Sequence, residues 1–201
     1  MNLKKRILEI SYKNNLSHIG SCITSVDIID RIYKVKKDQE PFILSNGHAG
    51  LALYVILEKY KNKNAEELWE KHGTHPNRDV KNGIWCSTGS LGQGLPIALG
   101  MALSNKNKNV YCLISDGECA EGSIWESLRI AKEQELSNLK IYLNINGWSA
   151  YEKIDKKYLI KRIKAFEFPV EIIETNVNEY LFLEGLKGHY CKITKEDYEK
   201  I

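Results

Sequence analysis

Apolar residues in this chain alternate between two spacings, and the alternation predicts the fold. Leu3, Ile7 and Ile10 recur at helical intervals over Leu3 to Lys13, which marks an amphipathic helix. A second helix is expected from a Thr24 or Ser25 cap through Lys34, with Val26, Ile29, Ile32 and Tyr33 as its buried stripe. The run from Pro41 to Leu44 predicts a short strand, and Leu53, Ile56 and Leu57 then mark a helix from Ala49 to Tyr60. Asn64 caps a short helix that ends before Gly73, and small residues pattern another from Ile97 to Leu103.

Val110 to Ile114 is a β-branched and aromatic run, as expected of a buried strand. A helix is expected at once after it, carrying Ile124, Trp125, Leu128, Ala131 and Leu136 near helical spacing. Further strands are expected at Leu139 to Leu143 and Val170 to Thr175, separated by a helix from Lys156 to Phe166. Strands alternating with helices predict an α/β architecture: a three-layer parallel sheet with helices on both faces.

Composition narrows this picture. With 201 residues the chain can bury one substantial core, and no linker divides it, so residues 1–201 are expected to form a single domain. Hydrophobic and charged fractions of 43% and 27% argue against disorder and against a membrane class. The net charge of +3 is small and the lysines are dispersed among acids, so nucleic acid is not an expected partner. Lys4, Lys5 and Arg6 precede no long apolar stretch, which argues against a signal peptide. Five cysteines without a C-x-x-C pair argue against disulfides or a zinc knuckle and fit a reducing, cytoplasmic setting.

The candidate chemistry lies where two consecutive strands end. Asp116 and Gly117 follow the first, and Asn144, Asn146 and Gly147 follow the second. In a parallel sheet both ends face the crevice where such folds bind ligands. Asp and Asn offer hard oxygens without completing a coordination shell, which suits Mg2+ or Ca2+ sharing its other positions with phosphate and water. A helix opening behind Gly117 would add N–H donors for an anion. Taken singly, Asp-Gly and Asn-Gly are also ordinary turn dipeptides.

Together with their surroundings these residues resemble a known family. Ser115-Asp116-Gly117 through Glu121-Gly122, answered thirty residues later by Asn146, is similar to the thiamine diphosphate fingerprint of the transketolase family. Four more blocks resemble the same family: Ser17-His18-Ile19-Gly20, Ser45-Asn46-Gly47-His48, Gly73-Thr74-His75-Pro76, and Ser87-Thr88-Gly89-Ser90-Leu91-Gly92-Gln93-Gly94. Ser115 is a departure, since the family has Gly there, and a left-handed backbone at that point would strain a Ser.

The resemblance implies roles. His18 would face a sugar substrate, His48 would lie near the cofactor diphosphate and the reacting sugar, and His75 would line the site's mouth. A helix N-terminus at His48 would also favour its neutral form. Gly89 and Leu91 would touch the thiamine rings. Asp116, Asn146 and the Trp148 carbonyl would hold Mg2+, with Ca2+ or Mn2+ as substitutes. Gly117 and Glu118 belong to the same cofactor-binding turn, Glu118 as a helix-start acid suited to the dipole. Glu121 would stand at the border with a second domain and help hold that domain's catalytic Glu. His72 has no counterpart and is expected on the surface.

The match covers about residues 1–155, with a looser resemblance in the tail that ends in His189-Tyr190. The chain is thus expected to be shortened after about residue 155, lacking a helix and a strand before that tail, which leaves the position of His189 open. The implied protein is the N-terminal subunit of a split transketolase. A separate subunit would supply the pyrimidine-binding and C-terminal domains in an α2β2 assembly, transferring a two-carbon ketol unit between sugars or sugar phosphates. Two alternatives stand beside it: another ketol-transferring enzyme of the deoxyxylulose-phosphate synthase type, and a noncatalytic interaction subunit that kept the fold.

Overall fold

The computed structural model describes residues 1–200. Helices α1 (Leu3–Lys13) and α2 (Ile19–Val35) lead to strand β1 (Phe42–Leu44), then to α3 (Gly50–Lys61), α4 (Ala65–His72) and α5 (Gly94–Ser104). Strand β2 (Val110–Ser115), helix α6 (Gly122–Glu133), strand β3 (Leu139–Ile145), helix α7 (Lys156–Ala165) and strand β4 (Val170–Glu174) follow. Two one-turn helices, α8 (Lys187–Tyr190) and α9 (Lys195–Tyr198), close the chain.

The strands form one parallel sheet in the order β1-β2-β3-β4. Side-chain parity along each strand divides the core in two. Phe42, Leu44, Tyr111 and Leu113 point into a cluster with α1 to α4, whereas Ile43, Cys112, Ile114, Ile141 and Leu143 pack against α5, α6 and α7. Layers of helix, sheet and helix result, because strands buried on both faces need an apolar cover on each. A fully buried Leu or Ile contributes about 1.5–3 kcal/mol, so these two clusters supply most of the driving force.

The local predictions differ from the structure at informative places. α2 begins at Ile19, one turn or more before the expected cap at Thr24 or Ser25. Those hydroxyls serve elsewhere: Asn144 donates to Thr24 and Ser25, and Asn46 donates to Ser25, inside the core. β3 runs on to Ile145, so Asn144 lies within the strand and only Asn146 stands at its tip. α6 does not start at Gly117 either. A tight 3-10 turn, Gly117–Ala120, intervenes, so the helix N-terminus lies five residues beyond the expected point.

His72 is not a surface residue. Its side chain is only 4% exposed, and Nε2 lies 3.3 Å from an Asp79 carboxylate oxygen. The cause is the Asp79–Ile84 bridge, which folds the following loop back over the end of α4. Sequence periodicity carries no sign of such a loop.

Candidate active site

The C-terminal tips of β1, β2 and β3 surround a cavity of about 170 Å³. Its floor comes from two strand ends. Asp116 follows β2 directly and is 2% exposed. Its Oδ1 accepts the Gly117 N–H at 3.0 Å, and its Oδ2 accepts the Gly147 N–H at 2.6 Å, which ties the end of β2 to the loop after β3. Asn146 faces the same cavity, and its Oδ1 accepts the Trp148 N–H at 2.9 Å. The two side chains thus share one environment.

Ser115 fits without strain. It is the last residue of an extended strand with negative φ, so the left-handed conformation that would favour Gly is not required. Gly117 is not left-handed either. A Cβ at 117 would meet Ser149 Cα at 3.4 Å and the Trp148 carbonyl oxygen at 3.8 Å, so the 115–118 turn and the 146–149 loop lie against each other.

Four imidazoles form the wall. His18, His48, His75 and His189 all border the cavity. Ring centroids are 5.8 Å apart for His18 and His48, 6.3 Å for His18 and His75, 5.8 Å for His18 and His189, and 5.6 Å for His48 and His189. Each arrives on a different segment. His18 occupies a left-handed backbone at the start of α2, with Ser17 Oγ 3.0 Å from its Nδ1. His48 sits in a 3-10 turn before α3. His75 lies against Gly89, where φ is 153° and a Cβ would stand 3.0 Å from the imidazole ring.

His189 answers the question its sequence context left open. α8 reaches the N-terminus of α2 through two glycines, and a Cβ on Gly20 would stand 2.8 Å from Gly188 Cα. His18 N–H donates to the His189 carbonyl at 2.8 Å, and the Tyr190 hydroxyl donates to the Ala150 carbonyl at 2.8 Å. The short tail therefore brings its histidine to the wall without a further helix and strand.

Burial sets the electrostatics. Desolvation lowers the pKa of His18, helped by His189 and His75, and lowers that of His189. It drives His48 down to about 3, with His189, His18 and His75 adding like-charge repulsion. These three rings are neutral near pH 7 and able both to donate and to accept a proton. Desolvation pushes Asp116 up to about 6, against the two backbone N–H donors and the Lys156 charge.

The donor set suits a divalent cation. One carboxylate, one amide oxygen and one backbone carbonyl are hard ligands, and Asp116 keeps lone pairs beyond its two N–H contacts. Gly89 and Leu91 also line the cavity, together with Asp116 and Asn146.

Two expected site residues do not line this cavity. Glu121 borders an adjoining cleft of about 350 Å³ that opens past Leu91, Gly117 and Ser149. Glu118 is indeed the acid of a first helical turn, that of the 3-10 segment Gly117–Ala120, but it is completely buried and its carboxylate binds back into the protein. A groove of about 580 Å³ at the opposite, N-terminal ends of β3 and β4 is lined by residues such as Leu136, Tyr142 and Phe168 and gathers no comparable set of groups.

Comparison with known proteins gives the family and the fold. The family described as transketolase, thiamine diphosphate binding domain, matches residues 18–179. One of the subunits of apulose-4-phosphate transketolase from Phocaeicola vulgatus is 32% identical over 165 residues, covering 71% of this chain and 58% of its own length. Human transketolase is 30% identical over 190 residues, covering 82% of this chain and 30% of its own. The chain thus spans somewhat over half of the first relative and under a third of the second. The transketolase structure from Leishmania mexicana superposes with a TM-score of 0.65 at 19% identity over 86% of this chain and 35% of its own. That from Campylobacter jejuni gives 0.62 at 22% identity over 87% of this chain and 38% of its own, and both likenesses concern the fold. By its matched residues, the chain belongs to the thiamine diphosphate-binding domain family of the transketolases.

Proposed function

We propose that this chain binds thiamine diphosphate with a divalent cation, Mg2+ by preference, as the N-terminal subunit of a split transketolase. The observation that carries the reading is the sharing of one cavity by Asp116, Asn146 and four histidines. The reaction would move a two-carbon ketol unit from a ketose or ketose phosphate to an aldose acceptor. Thiamine diphosphate, when bound, supplies the nucleophilic carbon and the electron sink for carbon–carbon cleavage.

The chain's own residues have separable tasks in this reading. Asp116, Asn146 and the Trp148 carbonyl hold the cation, and Gly117 leaves the diphosphate room beside them. Gly89 and Leu91 contact the thiamine rings. His18, His48 and His75 hydrogen-bond substrate hydroxyls and carry protons between them, a task suited to imidazole side chains. His189 joins them. Glu121, at the border of the adjoining cleft, meets the partner domain and helps orient that domain's glutamate.

A second polypeptide with the pyrimidine-binding and C-terminal domains belongs to the proposal, in an α2β2 assembly in the cytoplasm. One observation supports two chains: the relative from Phocaeicola vulgatus is itself named as one subunit of its enzyme. That relative's name also supports a sugar phosphate as substrate class. We further infer that residues 1–201 act as one cofactor-binding domain with a shortened C-terminal part. Among the described residues no helix is long and apolar enough to cross a membrane.

Isothermal titration of thiamine diphosphate in the presence of Mg2+ tests the reading, with the chain alone and with its partner subunit. One saturable site that vanishes with a chelator is expected. No binding under either condition overturns the proposal.

A further inference from the structure

Glu118 stands two residues beyond Asp116 and faces the opposite way. It is 0% exposed. Its Oε1 accepts the Ser45 hydroxyl at 2.6 Å and the Gly92 N–H at 3.0 Å, and its Oε2 accepts the Ser115 N–H at 3.0 Å. These donors belong to three segments that are far apart in the chain.

Each segment delivers part of the cavity lining. Ser45 leads through Gly47 to His48, Gly92 follows Leu91, and Ser115 precedes Asp116. The junction is tight as well as bonded: a Cβ on Gly94 would stand 2.5 Å from Ser45 Cα, and one on Gly47 would stand 2.5 Å from the Thr88 carbonyl carbon. His48, Leu91 and Asp116 therefore stand on three segments that a single carboxylate ties together.

Such a group is a poor choice for stability alone. No cation pairs with Glu118 among the described residues, and a buried carboxylate is costly unless hydrogen bonds replace its water. An apolar side chain would fill the volume at lower cost but would strand two backbone N–H groups and a hydroxyl. What the carboxylate alone provides is a fixed relation among three loops.

We propose that Glu118 is a positioning residue for the cavity, holding the His48 turn, the Leu91 loop and the Asp116 strand tip at the separation that cofactor binding requires. The proposal rests on the reading of this cavity as the thiamine diphosphate and Mg2+ site. Glu118 acts through these three segments and contacts neither cofactor nor substrate.

The test compares E118Q and S45A with the native chain in three measurements: thermal melting, amide hydrogen exchange, and titration with thiamine diphosphate and Mg2+. Gln keeps the volume but turns one acceptor into a donor, so at least one of the N–H or O–H bonds to the carboxylate is lost. Expected are a folded E118Q with faster exchange at Gly92 or Ser115 and affinity reduced about tenfold, in line with loss of a charge-assisted bond. S45A frees only the His48 turn, with faster exchange confined to residues 45–48 and a smaller loss of affinity.

A carboxylate serving only the core would lower the melting temperature of E118Q and leave exchange at Gly92 and Ser115, and the affinity of the folded protein, at native values. That result overturns the proposal. If E118Q does not fold, unchanged exchange over 45–48 and unchanged affinity in S45A overturn it instead. Failure of the native chain to bind thiamine diphosphate refutes the reading of the cavity, and the exchange measurements still decide whether Glu118 fixes the three loops.

Discussion

The floor and the wall of the cavity are built in different ways. The floor is local and anchored by backbone: Asp116 and Asn146 sit on adjacent strand tips, and two peptide N–H groups hold the Asp116 carboxylate. The wall is assembled from four segments that begin at His18 and end at His189, with ring-to-ring spacings of 5.6–6.3 Å. The two also respond to acid in opposite senses. Burial raises the Asp116 pKa and lowers those of His18, His48 and His189. A floor made by one β-α-β unit survives small changes elsewhere, whereas a wall made by distant parts depends on every contact that brings them together.

Breaking the floor gives the largest effect. Asp116→Ala removes the only carboxylate among the proposed cation ligands, and titration calorimetry is expected to show affinity for thiamine diphosphate with Mg2+ falling by about 100-fold or more. Native-like affinity in this variant would separate the cation site from Asp116.

Breaking the wall's packing comes next. Gly47→Ala forces a Cβ to 2.5 Å from the Thr88 carbonyl carbon and 2.7 Å from Gly89 N, where only backbone could yield. Overpacking of this kind costs about 1–3 kcal/mol, a drop of several degrees in melting temperature for a chain of this size. Unchanged melting would mean that the two loops separate freely.

Acid sharpens the comparison further. His48 has a folded pKa of about 3 against an ordinary 6.5. The unfolded chain therefore takes up the proton first, and stability is lost progressively as pH falls from about 6.5 toward 3. His18 and His189 act in the same direction. Proton NMR of the ring resonances should show His48 neutral at pH 5, and His48→Gln should flatten the decline in melting temperature with acid; a His48 midpoint near 6.5 would refute the burial argument.

The smallest effect is expected at the tail. Tyr190→Phe removes the hydroxyl that binds the Ala150 carbonyl at 2.8 Å. Because the residue is exposed, the loss is about 0.5–1 kcal/mol, visible as faster amide exchange across residues 185–190 with cofactor affinity little altered. A large loss of affinity would make the tail a stronger determinant of the site than His18 or His48.

The sequence by itself determined the alternation of strands and helices, the parallel sheet, and the placement of Asp116 and Asn146 at neighbouring strand tips. These follow from periodicities and spacings that act over thirty residues or fewer. Glycine-rich and histidine-bearing blocks also marked which loops matter. Only the tertiary structure decided that His189 joins the other three histidines, since a Gly20–Gly188 contact has no local signature. It likewise decided that Thr24 and Ser25 bond to Asn46 and Asn144 instead of capping a helix, that His72 is buried against Asp79, and that Glu118 turns inward to Ser45, Gly92 and Ser115. A polar side chain's partner depends on which distant donors the folded chain brings within 3 Å. Local pattern predicts the element that carries such a residue, and long-range packing selects what it binds.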